Sequence, residues 1–291
     1  MNPAPSVIAF TTLSGLGFGF LAFMAADPVP VHGLHAFALW ALGYVLAVGG
    51  LLISALHLGN PKRALLAFTQ WRSSWLSREA VAAVATLLAL APVALSQIVG
   101  FDWPRLWGLL AALMCFATVC ATAMIYAQLK TVPRWNHWIT PVMYLTFAAT
   151  GGAILAGQGA VAMLALAALS VVQAQVWRIG DKRFAQSGAT TGTATGLGSI
   201  GTVRVFEQPH TGQNYLMREM IFTVARKHVE KLRIITLVLV VVIPLLLLTL
   251  APHGPVTLLL TALIHLGGAI TSRWLFFAEA EHVVGLYYGR R

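Results

Sequence analysis

Two side chains in this 291-residue chain place proton chemistry against apolar surroundings, His57 and Glu79. His57 closes a long apolar run in "ALHLGNPKRALLAF", residues 55–68, and Glu79 opens the next one. An imidazole titrates near neutral pH, and a nearby carboxyl exchanges protons with it because each partner moves the other's pKa. Ionisable groups at membrane depth are costly and concentrate at functional positions. The chemistry that fits is protonation and deprotonation of a lipid-soluble ligand reached from one interface. Plainer roles exist for both residues. His57 can act as a cation at a helix C-terminus and Glu79 as an acid in a helix's first turn. Lys62, Arg63, Trp71, Arg72, Trp75 and Arg78 surround the pair, and such residues also form an ordinary aromatic and cationic belt.

The elements that must position this pair are membrane helices. Hydrophobic residues make up 58% of the chain and charged residues 10%, against roughly a quarter charged in soluble domains. The fold class expected is an all-α integral membrane protein. Spanning helices of about 20 apolar residues are expected at 6–26, 35–57, 79–99, 104–128, 138–157, 159–177, 232–251 and 255–278, eight in all within one domain, residues 1–291; only "GQG" separates the fifth from the sixth, and merging or dropping one of them gives seven. Pro92 and Pro244 fall inside spans and should kink them. Consecutive spans are antiparallel, so His57 and Glu79 share one membrane level.

The chain has 19 Lys and Arg against 9 Asp and Glu, and 17 of these cations fall on one side of the expected topology. The positive-inside rule makes that side cytoplasmic, with both termini there and the protein in the inner membrane. Cations gathered in loops between spans speak for orientation and partner docking rather than for nucleic acid. The loop 178–231 is the sizeable polar segment. Its "SGATTGTATGLGSIG" reads as flexible, "TVRVFEQPHTGQ" as a short strand and turn, and "NYLMREMIFTVARKHVEKL" as an amphipathic helix at the interface or a docking surface. Gly15 and Gly19 stand at G-x-x-x-G spacing, which calls for close helix packing.

Metal chemistry finds little support. Cys115 and Cys120 form no C-x-x-C and hold no cluster by themselves. His32 and His35 sit at a helix start on the cation-poor side, and His137, His228 and His282 read as interfacial. Axial haem b ligation needs histidines at equal depth on facing helices. No such pair stands out, which leaves His265 as the residue to examine. No metal is expected in the chain.

"LHLGNPKRALLAF", "SSWLSREAV" and "TVPRWNHWITPVMYLTF" resemble the signatures of the DmsC-type membrane anchors, the integral subunits of dimethyl sulfoxide reductase-like molybdenum enzymes. "VRVFEQPHTGQNYLMREM" and "SRWLFFAEAEHVVGLYYG" look closer to the branch that anchors a sulfite-oxidising enzyme. The resemblance implies a three-part complex. A molybdopterin catalytic subunit and a ferredoxin-like iron–sulfur subunit would sit on the cytoplasmic side, and the anchor, held among membrane lipids, would bind ubiquinone or menaquinone. It also implies that His57 and Glu79 contact the quinol. Arg63, Arg72 and Trp75 are further candidate quinone-binding residues from their place around the pair alone. Anchors for dimethyl sulfoxide, polysulfide or tetrathionate reductases are the near alternatives. A secondary transporter is the alternative from another class, disfavoured because the polar groups cluster at one interface.

Overall fold

A computed structural model describes residues 1–27, 30–55, 61–207, 212, 214–221, 228–252 and 254–289. His57 lies outside the described residues, as does much of the 208–227 stretch. The described chain is all helical. α1 spans Pro5–Ala26, α2 Gly33–Ser54, α3 Trp75–Val99, α4 Arg105–Ala127, α5 Ile139–Leu155 and α6 Gly159–Gln186. Two short helices follow, α7 Thr191–Thr195 and α8 Tyr215–Met220, and then α9 Val229–Leu237, α10 Ile243–Leu250 and α11 Pro255–Ala278. Among the described residues, seven helical stretches are long and apolar enough to cross a membrane, the α9–α10 stretch counting as one; the apolar α5, 17 residues long, is shorter.

Hydrogen bonds between distant segments sort the connections by end. At one end the N-terminal ammonium donates to the Ala280 carbonyl at 2.8 Å, and the Val283 amide donates to Thr131 at 3.0 Å. At the other, Gln158 donates to Asp27 at 2.9 Å, and His32 Nδ1 lies 3.2 Å from the Gln97 carbonyl. The first end carries the cation-rich loops.

α1 is the hub. It packs on α2, α4 and α5, and most of its residues are buried. Small residues permit this. A Cβ on Gly19 would collide with the Ala148 carbonyl, and one on Gly17 with the Ala47 backbone. Without a hydrophobic driving force between helices in lipid, such close backbone approach supplies the packing. The spacing motif therefore held only in part. Gly19 packs as expected, but a Cβ on Gly15 meets nothing within 4 Å. Many outward leucines are exposed, Leu34 and Leu88 among them, as lipid-facing surfaces require.

The helix boundaries differ from the expected spans at instructive places. α3 begins at Trp75, because Ser74 is extended and the apolar Trp75 and Leu76 already wind. Glu79 therefore sits one turn inside the helix rather than at its start. α6 runs on to Gln186, which shortens the expected 178–231 loop from its front. α3 continues through Pro92, whereas Pro244 follows a five-residue π-helical segment, Val238–Val242. A π-bulge beside a proline is a recognised way of rearranging the freed backbone groups.

Two expectations for the polar loop need correction. The Gly/Thr-rich segment is ordered into α7. The Thr190 hydroxyl accepts from the Thr193 amide at 3.1 Å while the Thr193 hydroxyl accepts from the Thr190 amide at 2.8 Å, a reciprocal cap that tethers the helix start. Tyr287 donates to the Ala194 carbonyl and pins α7 to the C-terminal segment. No strand forms among the described residues of 202–213. Of the expected amphipathic helix only a six-residue piece forms here, α8, capped by Asn214, whose side chain accepts from the Met217 amide at 2.8 Å; Ile221 leaves the helical conformation, and 222–227 lie outside the described residues.

Candidate functional site at the cation-rich end

Glu79 is 4% exposed. Its helix face explains why. Glu79, Ala83, Thr86 and Leu90 are buried and recur at helical spacing, so one stripe of α3 turns toward α4. The antiparallel α4 answers with threonines. Thr122 donates to Glu79 Oε1 at 2.5 Å, and two turns deeper Thr86 and Thr118 share a hydrogen bond of 2.9 Å. A carboxyl at this depth needs such a donor, because an isolated buried charge or dipole is expensive.

Beyond Thr122, the next turn of α4 presents Tyr126. Its ring stacks on Tyr144 of α5 at 5.9 Å and 27°, and meets Trp135 edge-on at 5.4 Å. Trp135 stacks on Phe276 at 5.2 Å and donates to the Phe276 carbonyl at 2.9 Å. Behind Tyr144, the Arg273 guanidinium lies 3.4 Å from the ring centroid. Tyr126 and Tyr144 both lie within electrostatic range of Glu79 and Arg273. The result is a buried polar layer crossing α3, α4, α5 and α11 at one depth, filled mostly by aromatic rings.

The expected site residues divide. Glu79 is in this layer. Trp75 is half-buried one turn before it and carries Arg78, whose guanidinium lies 4.4 Å from the Trp75 ring. Arg78 also donates to the Trp71 carbonyl at 3.0 Å and the Arg72 carbonyl at 2.7 Å, so it organises the turn that leads into α3. Arg63 and Arg72 are exposed, and among the described residues no hydrogen bond or ion pair joins either to Glu79. The sequence reading missed Thr122, Tyr126 and Tyr144 altogether. Arg273 falls inside the expected span 255–278, where the rule that selected Glu79, an ionisable residue at membrane depth, applies to it equally.

Other cations of this end are spoken for. Arg134 pairs with Asp181 at 3.0 Å and with Glu279, and Arg233 pairs with Asp181 at 2.6 Å and with Glu279 at 2.8 Å. These four residues close a ring that ties the 128–138 connection to α6, α9 and the end of α11. Gly180 makes room, since a Cβ there would lie 2.9 Å from the Arg134 guanidinium carbon. Arg183 donates to the Asn136 carbonyl at 3.1 Å and holds the same connection from its other side.

His265 is 2% exposed, and its Nδ1 lies 3.1 Å from the Val240 carbonyl. The cavity beside it measures about 20 Å³ and is lined by no second histidine, which gives a haem neither room nor a second ligand. Among the described residues, no group of three or more His, Cys, Asp or Glu is placed to hold a metal ion.

The model of the DMSO reductase anchor subunit family, DmsC, matches residues 18–289. The chain belongs to the DmsC anchor family. Along 99% of its length this DmsC anchor is 32% identical to a subunit of the sulfite dehydrogenase of Allochromatium vinosum, covering 99% of that protein. No solved structure matches it. It is thus a multi-pass membrane anchor, and the transporter alternative falls away.

Proposed function

We propose that this DmsC anchor is the quinone-reactive subunit of a sulfite-oxidising molybdenum enzyme. It passes electrons from sulfite oxidation in the cytoplasm to the quinone pool. The observation that carries the reading is the buried Glu79 carboxyl, held by Thr122 one turn inside the cation-rich end. Reducing a quinone to its quinol takes two electrons and two protons. A ferredoxin-like iron–sulfur subunit, reduced by the molybdopterin subunit, delivers the electrons across the cation-rich face. Glu79 and His57 hold and pass the protons, while Trp75, Arg63 and Arg72 line the approach. Ubiquinone and menaquinone suit this chemistry equally.

The residues present fit such a substrate. α2 and α3, which lead to His57 and from Glu79, flank an open apolar groove of about 480 Å³ lined by Phe37, Trp40, Tyr44, Leu87 and Leu95. An isoprenoid tail matches that lining, which lies in the half of α2 and α3 nearer the cation-poor end, two turns or more along α3 from Glu79. In this reading the chain crosses the inner membrane eight times, α5 included, with both termini cytoplasmic and residues 178–231 contributing to the docking face.

The test uses the complete complex. Glu79→Gln and His57→Ala should each lower sulfite-driven quinone reduction at least about a hundredfold, the lower end of what general acid–base groups supply. Sulfite oxidation with a soluble dye should stay near wild type. Wild-type quinone turnover in both variants would refute the assignment.

A further inference from the structure

Behind Tyr144 lies a group of polar atoms that the proposed reaction does not use. Arg273 is 3% exposed, and its Nε and Nη1 have no hydrogen-bond partner among the described residues. The same holds for the Tyr144 hydroxyl and His265 Nε2. Buried polar groups are hydrogen-bonded almost without exception, and a guanidinium, which stays protonated in proteins, is among the costliest to leave bare. These side chains line one cavity, together with Thr11, Thr12 and Gly15 of α1. The two threonines are turned back on their own helix, with hydroxyls donating to the Val7 and Ile8 carbonyls at 2.9 and 2.8 Å.

The backbone decides what His265 offers the cavity. Pro244 has no N–H to give the carbonyl four residues before it, that of Val240. His265 Nδ1 sits 3.1 Å from that carbonyl, which can only accept, so Nδ1 carries the proton. A neutral ring protonated at Nδ1 keeps its lone pair on Nε2, which is buried without a hydrogen-bond partner among the described residues, on a side chain that lines the cavity. One wall therefore donates, through Arg273, and another accepts, through His265. Tyr144 can do either.

We infer that this cavity binds a single hydroxyl oxygen, which accepts from Arg273 and donates to His265. The volume of about 20 Å³ holds one such centre and no more. Two sources present that chemistry, a water molecule and the terminal hydroxyl of a lipid-soluble hydroquinone. The second has a way in, because at Gly15 the α1 wall carries no side chain and a Cβ would meet nothing within 4 Å. The Tyr126–Tyr144 stack stands between this cavity and Glu79. The inference is therefore independent of whether Glu79 handles quinone.

Electron cryo-microscopy of the complete complex, at a resolution that shows ordered water, tests it with and without a short-tailed hydroquinone. A rounded peak within hydrogen-bond distance of Arg273, Tyr144 and His265 without added quinol assigns water. A peak joined to planar ring density, present only with the hydroquinone, assigns the quinol. An empty cavity, acyl-chain density, or an Arg273 swung out to a protein carboxylate overturns the inference. His265→Leu, checked for assembly by copurification of the partner subunits, should lose the peak. Its persistence in that variant would overturn the inference as well.

Discussion

The hydroxyl of Thr122 reaches from α4 to the buried carboxyl of Glu79 on α3 at 2.5 Å. The contact fixes one carboxyl oxygen and so sets where the other can point. Thr122→Val, nearly isosteric, should let the carboxyl swing and cut quinone turnover roughly tenfold, worth about 1.4 kcal/mol of barrier. Thr122→Ser should retain most of it. Parallel assays with quinone and with a soluble dye separate this positioning effect from a general loss of complex.

The ring of Arg134, Asp181, Arg233 and Glu279 is graded in burial. The Glu279 side chain is 5% exposed and that of Asp181 46%. Removing one partner of a buried ion pair strands the other, at a cost of roughly 3–5 kcal/mol, whereas exposed pairs contribute about 0–1 kcal/mol. Glu279→Gln should lower the melting temperature of the detergent-solubilised complex far more than Asp181→Asn. Equal shifts would mean that burial does not govern this ring.

Helix crossing at α1 predicts a sharp contrast between glycines. Gly19→Ala puts a methyl into the Ala148 carbonyl, and Gly152→Ala puts one into the Gly19 backbone. Both should sharply reduce the yield of folded protein recovered from membranes. Gly15→Ala, with open space at that position, should leave the yield unchanged.

Acid should loosen the cation-rich end through two histidine caps. His282 Nδ1 accepts from the Val284 amide at 3.0 Å, and His137 Nδ1 from the Ile139 amide at 3.2 Å. Burial lowers both pKa values, helped by the nearby N-terminal ammonium at His282 and by Arg183 at His137. A folded pKa below the unfolded value of about 6.5 means that the unfolded chain binds more protons. This stability is therefore whole above about pH 6.5 and is lost progressively as the pH falls from there through the lower folded pKa. Melting temperatures recorded from pH 8 to pH 5 should drop, and His282→Asn, which keeps a side-chain acceptor without the titration, should flatten part of the drop.

The sequence made the spans legible because composition alone separates lipid-facing helices from loops. Glu79 could be placed to within a turn of its depth for the same reason. What surrounds it could not. Thr122, Tyr126, Tyr144 and Arg273 come from three other helices, and their meeting depends on which helices neighbour one another, which periodicity does not encode. Gly15 and Gly19 share a motif yet differ in role, since the rotation of α1 is set by Gly17 and Gly19 on two different neighbours. The Thr190–Thr193 cap was readable in principle, being a threonine at each end of a capping spacing, but a Gly/Thr-rich composition masked it.

The salt-bridge ring also orders events in time. Arg134 is made long before Glu279, with Asp181 and Arg233 in between, so until the last helix is made the ring lacks one of its four members. Asp181 comes earlier and can pair with Arg134 first, so the arrival of the last helix brings the final and most buried carboxylate, Glu279, that completes the ring. The ring would thus close last, as the clasp that keeps the finished bundle shut.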